Sequence, residues 1–219
     1  MNIVELFESI QGEGIWLGMP SLFIRFAGCN LNCCWCDTPR ARAMDAGTDY
    51  PVEALLARAL QSSLRAVVIT GGEPTLHAEE LVQLCDSLKA AGKRITLETN
   101  ATAFVPCRAD LISMSPKLPG SQADGRTDMW CEEILRQYCE SGTSVQVKLV
   151  VGSEEEARQA LRAIKPLAMP PERIFLMPEA RTRSEHNAQS AWLVPLCLNA
   201  GVRFGARLQT LLWDNEPGK

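Results

Sequence analysis

The sequence predicts an α/β fold, an incomplete TIM-type barrel of about six βα units, fewer than the eight of a closed barrel. Three observations carry this expectation. Short β-branched runs alternate with helical patterns through the middle of the chain. The runs are apolar almost throughout, as in parallel strands covered by helices. The polar signatures fall just after the runs, where α/β folds place their reactive loops.

Residues 22–26 (LFIRF) read as the first strand, followed by 66–70 and 95–98. Residues 111–114, 145–151, 174–176 and 202–208 continue the series. Between them, Leu81, Leu84, Cys85 and Leu88 fall at i, i+3, i+4, i+7 spacing, and Gly92 stops that helix. Ile134, Leu135 and Tyr138 mark another, ended near Gly142. Ser153-Glu154-Glu155-Glu156 has the form of a capping box, so a helix should run from there to about Ile164. A last helix, with Pro195 inside it or near its start, ends before Gly201. Repeats and long linkers are absent, and 219 residues suit a single domain over 1–219.

Hydrophobic residues make up 46% and charged residues 22%, enough to bury a real core. Lys plus Arg is 22 and Asp plus Glu is 26, for a net charge of −4. That balance argues against nucleic-acid binding. No apolar run is long enough to span a membrane, and the N-terminus lacks the basic and apolar regions of a signal peptide. A cytoplasmic location is therefore expected. There are nine cysteines and only two histidines, so the chemistry is expected to run through sulfur.

The decisive segment runs from Gly28 to Thr38. Cys29, Cys33 and Cys36 form a C-x3-C-x2-C pattern directly after the first strand. Three thiolates on a short loop suit three irons of a cubane, leaving the fourth iron open to a chelating ligand. Structural zinc would want a fourth protein ligand, which nothing nearby offers. Cys29, Cys34 and Cys36 form a second possible triple; the x3/x2 spacing is preferred and leaves Cys34 outside. Buried packing thiols are the bland alternative. Thr70-Gly71-Gly72-Glu73-Pro74 follows another predicted strand, where glycines admit close backbone approach and carbonyls plus a carboxylate suit an ammonium group.

Together these segments resemble the radical S-adenosylmethionine (SAM) superfamily. Three further stretches resemble the 7-carboxy-7-deazaguanine synthase family within it: Glu8-Ser9-Ile10-Gln11-Gly12-Glu13-Gly14, Leu97-Glu98-Thr99-Asn100 and Ser113-Met114-Ser115-Pro116-Lys117. The resemblance covers nearly the whole chain. It implies conversion of 6-carboxy-5,6,7,8-tetrahydropterin to 7-carboxy-7-deazaguanine by radical ring contraction, with ammonia released and SAM regenerated. It also implies a [4Fe-4S] cluster on Cys29, Cys33 and Cys36, and Mg2+ at Thr38. Asp37 either assists that ion or caps the next segment.

By the same resemblance, SAM contacts Gly72, Ser115, Pro116 and Lys117, and more loosely Met177, Pro178, Glu179 and Ala180. The pterin contacts Ile10, Gln11, Gly12, Thr70 and Pro217, while Arg25 pairs with its carboxylate through a planar fork. A homodimer and a flavodoxin- or ferredoxin-type electron donor are also implied. The tail departs from the family: several relatives end QTHKY, whereas here Gln209-Thr210 leads into Leu211-Leu212-Trp213. Trp213 packs either on the sheet or at a subunit interface.

Among the remaining residues, Cys85 and Cys197 read as core, and Cys131 and Cys139 lie two turns apart on a helix. Lys148 points either into the cavity or to a solvent-facing edge. His77 reads as a helix-start residue and His186 as part of a solvated loop. Two other readings share some of these features. An activase acting on a partner protein would not predict the segments around Gln11 and Ser115. An iron-sulfur or zinc scaffold protein would predict no SAM binding.

Overall fold

The computed structural model describes residues 1–214 and 216–218. Seven strands run parallel: β2 (Pro20–Phe26), β4 (Ala66–Gly71), β5 (Arg94–Thr99), β6 (Leu111–Met114), β7 (Val145–Val151), β8 (Ile174–Pro178) and β9 (Arg203–Phe204). Two antiparallel strands, β1 (Asn2–Ile10) and β3 (Thr48–Asp49), extend the edge beside β2, giving one sheet in the order β3-β1-β2-β4-β5-β6-β7-β8-β9. The helices are α1 (Val52–Gln61), α2 (Ala78–Ala90), α3 (Glu132–Glu140), α4 (Glu154–Ile164), α5 (Arg183–Ala200) and α6 (Leu208–Trp213). A helix follows each parallel strand except β5, whose exit is the irregular stretch 100–110. This is the expected incomplete barrel. Among the described residues, no helix is long and apolar enough to cross a membrane.

Strand parity divides the side chains between two destinations. Leu22, Ile24, Phe26, Val67, Ile69, Ile95 and Leu97 point outward and form one core with Leu55, Leu81, Leu84, Leu135 and Leu193 from the helices. Each such fully buried aliphatic side chain contributes about 1.5–3 kcal/mol. The intervening residues Phe23, Arg25, Thr70, Glu98 and Lys148 point inward and line a cavity. One face of the sheet therefore packs into the core and the other lines the cavity.

Several expectations need correction. The last strand is not 202–208: only Arg203–Phe204 pairs with β8, and Leu208 already belongs to α6. The chain leaves the sheet at Gly205, whose N–H donates to Leu176 O at 2.8 Å, and where a Cβ would stand 2.4 Å from Met177 Cγ. Of the two placements expected for Pro195, inside its helix is the one observed. A capping box between Thr182 and Glu185 opens α5 well before it, and Gly201 closes the helix in a left-handed conformation. His186 is consequently not in a solvated loop but buried in α5, where its Nε2 accepts from Arg207 N at 3.3 Å.

In α4, Ser153 Oγ caps Glu156 N at 3.2 Å as expected, but Glu156 Oε2 accepts from Gly152 N rather than from Ser153 N. Cys85 and Cys197 are buried, as read from their apolar surroundings. His77 opens α2, with its Nε2 2.8 Å from Ala27 O.

Candidate active site

The cysteine loop begins where β2 ends. Gly28, with φ +88°, turns the chain, and its N–H meets Ala41 O at 2.9 Å and Ala43 O at 3.1 Å. Cys29 N then donates to Arg42 O at 3.0 Å, closing the loop onto itself. Cys29, Cys33 and Cys36 all line the cavity. Cys34 is exposed, is absent from that lining, and is held by its backbone N–H to Ser121 O at 2.8 Å. Gln122 steadies the loop by accepting from Asn32 N at 2.7 Å and donating to Cys33 Sγ at 3.3 Å.

Among the described residues, no three His, Cys, Asp or Glu side chains converge on one metal ion. Three thiols lining one cavity, with Lys117 close enough to act electrostatically on both Cys29 and Cys33, fit a multi-iron cluster whose ligands bind separate irons. Burial pushes the Cys29 thiol up, with Glu73 and Cys33 adding to it, while the Leu31 N–H and Lys117 oppose them.

The Gly-Gly-Glu segment abuts this loop backbone to backbone. A Cβ on Gly72 would lie 2.1 Å from Gly28 O and 2.7 Å from Ala41 O, so only glycine fits. Glu73 is fully buried, and its carboxylate accepts four bonds: Thr75 N at 3.0 Å, Thr75 Oγ1 at 2.7 Å, Thr99 Oγ1 at 2.7 Å and Asn100 N at 2.6 Å. These bonds tie the end of β4 to the end of β5; three fall on Oε1 and one on Oε2, and Glu73 also lines the cavity. Burial pushes the Glu73 pKa up against the pull of those four donors.

Ser115 and Lys117, after β6, line the same cavity, but Pro116 does not. Lys117 Nζ donates to Ser115 O at 2.6 Å and Ser115 Oγ at 2.8 Å, and stands 5.1 Å from the Trp35 ring centroid. Burial lowers its pKa. Met177, Pro178, Glu179 and Ala180 stay outside the lining. Met177 packs beneath Gly205, and Ala180 O accepts from Arg207 Nη1 at 2.7 Å.

At the other end, the β1–β2 loop closes the barrel. Ile10, Gln11, Gly12 and Glu13 line the cavity, as do Arg25, Thr70 and Pro217. Glu98 collects Thr70 Oγ1 at 2.9 Å, Lys148 Nζ at 3.0 Å and Gln11 Nε2 at 3.3 Å. Lys148 also reaches Glu13 Oε2 at 2.7 Å, so it lies inside the barrel and not on an edge. Arg25 Nε pairs with Glu5 Oε2 at 2.7 Å, across the β1–β2 register.

The C-terminal segment seals the open side. Leu208 N donates to Gly12 O at 3.0 Å, Gln209 Nε2 to Glu13 Oε1 at 2.8 Å, and Arg207 Nε to Glu13 Oε1 at 3.3 Å. Arg207 Nη2 continues to Asp37 Oδ2, and Thr38 Oγ1 donates to Asp37 Oδ1 at 3.0 Å. The Thr38 hydroxyl proton is thereby turned toward Asp37, which leaves its oxygen lone pairs available. Burial acts to raise the Glu13 pKa, but Lys148 and Arg207 overcome it and hold the group at about 2. Lys148 and Arg207 are raised despite their burial, by Glu13 with Glu98 and by Asp37 with Glu13 respectively.

Sequence reasoning missed Arg207, Gln209 and the inward roles of Glu13 and Glu98. Strand parity from Thr70 and Arg25 carried a signal for Glu98. For Arg207 the only local sign was a charge in an apolar stretch.

Comparison with known proteins matches residues 23–174 to the Radical SAM superfamily. A 7-carboxy-7-deazaguanine synthase of Rhodopirellula baltica is 37% identical, covering 99% of this chain and 88% of its own length. One from Pyrobaculum aerophilum is 31% identical, covering 100% of this chain and 97% of its own. The crystal structure of QueE from Escherichia coli superposes with a TM-score of 0.74 at 26% identity, over 93% of this chain and 92% of that one.

Proposed function

Because the chain belongs to the 7-carboxy-7-deazaguanine synthase family of the radical SAM superfamily, we propose a division of labour among its cavity residues. The chain is an enzyme that converts 6-carboxy-5,6,7,8-tetrahydropterin to 7-carboxy-7-deazaguanine with release of ammonia, a step of queuosine and 7-deazapurine biosynthesis. Its cofactors are a [4Fe-4S] cluster and SAM, which supply one-electron chemistry for hydrogen abstraction when bound.

The observation that carries the assignment of residues is convergence on one cavity. Cys29, Cys33 and Cys36 after β2, Gly72 after β4, and Ser115 with Lys117 after β6 share it with Gln11, Arg25 and Thr70. The three thiols hold the cluster. Gly72 and Ser115 present backbone and hydroxyl groups to SAM, and Lys117 keeps its ammonium beside them. Pro116 fixes the turn between Ser115 and Lys117, while Met177, Pro178, Glu179 and Ala180, at and after the end of β8, bear on SAM only from outside the cavity lining.

Ile10, Gln11, Gly12 and Thr70 recognise the polar edge of the pterin, and Arg25 faces its carboxylate. Thr38 takes a magnesium ion together with substrate oxygens and water, suited to a hard cation that keeps much of its hydration. Arg207, Gln209 and Pro217 close the site against solvent, which protects a radical from side reactions. The working form is a homodimer of single-domain chains reduced by a flavodoxin- or ferredoxin-type donor.

The test reconstitutes the cluster anaerobically, supplies SAM, reductant and the carboxytetrahydropterin, and follows ammonia and deazaguanine. Product without net SAM consumption is expected. Deoxyadenosine without product would point to a different radical enzyme, and no SAM cleavage at all would overturn the catalytic reading.

A further inference from the structure

Three guanidinium groups from three separate segments donate to backbone carbonyls of the cysteine loop. Arg42 Nη2 reaches Cys33 O at 2.6 Å, with its Nη1 on Asn32 Oδ1 at 2.6 Å. Arg126, between β6 and α3, reaches Asn30 O at 2.8 Å. Arg181, just after β8, reaches Cys34 O at 2.9 Å.

The three differ in what balances their charge. Arg126 is paired with Asp124 at 3.1 Å. Among the described residues, neither Arg42 nor Arg181 forms a close ion pair with a carboxylate, although Glu179 is near enough to Arg181 to act on it electrostatically. Arg42 also keeps a buried Nε–H without a hydrogen-bond partner among the described residues, a desolvation penalty. A lone cation held under that penalty is unfavourable unless an anion shares the site.

We infer that Arg42 and Arg181 raise the reduction potential of the cluster through the loop that holds it, an inference that rests on reading Cys29, Cys33 and Cys36 as its ligands. A cluster held by thiolates gains negative charge on accepting an electron. A fixed cation nearby therefore favours the reduced form over the oxidised one. Arg42, half-buried against the cavity, acts more strongly than the exposed Arg181, which water and salt screen. Arg126 supplies the same kind of hydrogen bond with its charge already balanced, and so serves as an internal control.

The experiment uses the full chain reconstituted anaerobically with iron and sulfide, as wild type and as Arg42→Gln, Arg181→Gln, Arg126→Gln and Arg42→Lys. Iron and sulfide content and the EPR signal of the reduced cluster are recorded first. The ratio of reduced to oxidised cluster is then read against redox dyes. Arg42→Gln is expected to lower that ratio about tenfold at fixed potential, which is about 59 mV for a one-electron couple. Arg181→Gln lowers it about threefold, less than a buried charge would. Arg126→Gln leaves it unchanged, and Arg42→Lys recovers most of the loss.

A wild-type chain that takes up no cluster overturns the ligand reading. Full clusters with unmoved potentials in Arg42→Gln and Arg181→Gln overturn the charge inference alone. A shift in Arg126→Gln as large as that in Arg42→Gln does the same, by assigning the effect to hydrogen bonding. If Arg42→Gln loses its cluster, the exposed Arg181→Gln decides the matter.

Discussion

Lys148 Nζ lies 2.7 Å from Glu13 Oε2, joining the middle of β7 to the loop between β1 and β2. With Glu98 and Arg207 it makes a buried alternation of charges across the closed end of the barrel. Burying each charge costs free energy that only its neighbours repay. Lys148→Met is therefore expected to destabilise the fold by about 3 kcal/mol, because Glu13 and Glu98 lose their shared cation. Urea unfolding at pH 7 measures this, and a loss below about 0.5 kcal/mol would contradict it.

The same cluster sets an acid limb of stability. The folded pKa of Glu13, about 2, lies below its ordinary value of 4.5. Its contribution is therefore present above about pH 4.5 and is lost as pH falls toward 2. In Lys148→Met the folded pKa moves back up, so this residue's share of the acid limb shrinks. Unfolding free energies of both proteins between pH 7 and pH 2, with identical acid limbs as the contrary result, decide it.

Cys33 faces the cavity and Cys34 faces solvent. Cys34→Ala should retain full iron and sulfide after reconstitution, whereas Cys33→Ala should lose the cluster or hold a degraded one. The reverse pattern in iron content would exchange their roles.

Gly72 touches the backbone of the cysteine loop. In Gly72→Ala the new methyl would meet Gly28 O at 2.1 Å, and a carbonyl in a closed loop cannot move aside as a flexible side chain can. We expect a loss of about 1–3 kcal/mol from overpacking, together with faster cluster loss. A Gly72→Ala protein with wild-type melting temperature and cluster lifetime would refute this contact.

Thr38 is buried and its hydroxyl proton is directed to Asp37. Turnover of reconstituted enzyme should rise with added magnesium, and Thr38→Val should weaken that response by about tenfold or more. Turnover indifferent to magnesium in the wild-type enzyme would remove the ion from the site.

Much of this molecule was legible in local sequence, and the reasons are local. Residues 111–114 and 145–151 coincide with β6 and β7, because β-branched and apolar residues dominate both runs, with Ser113, Gln146 and Lys148 as the polar exceptions. The missed α1 carries Val52, Leu55, Leu56 and Ala59 at helical spacing, so its signal was present. The missed β1 had weaker cues, since Glu5 and Glu8 interrupt a strand that β3 covers only at Asn2 and Ile3 and that needs only partial burial.

Adjacent residues alone mark the cysteine loop and the glycine pair, because cysteine spacing and glycine pairs answer demands of the local backbone. What surrounds those atoms was settled by folding. Glu73 became a strut between β4 and β5 because Thr75, Thr99 and Asn100 met at one carboxylate. Arg207 became the seal of the barrel because Glu13 and Asp37, each distant along the chain, arrive on either side of it. Such charges are selected by convergence in space, and no short stretch of sequence records it.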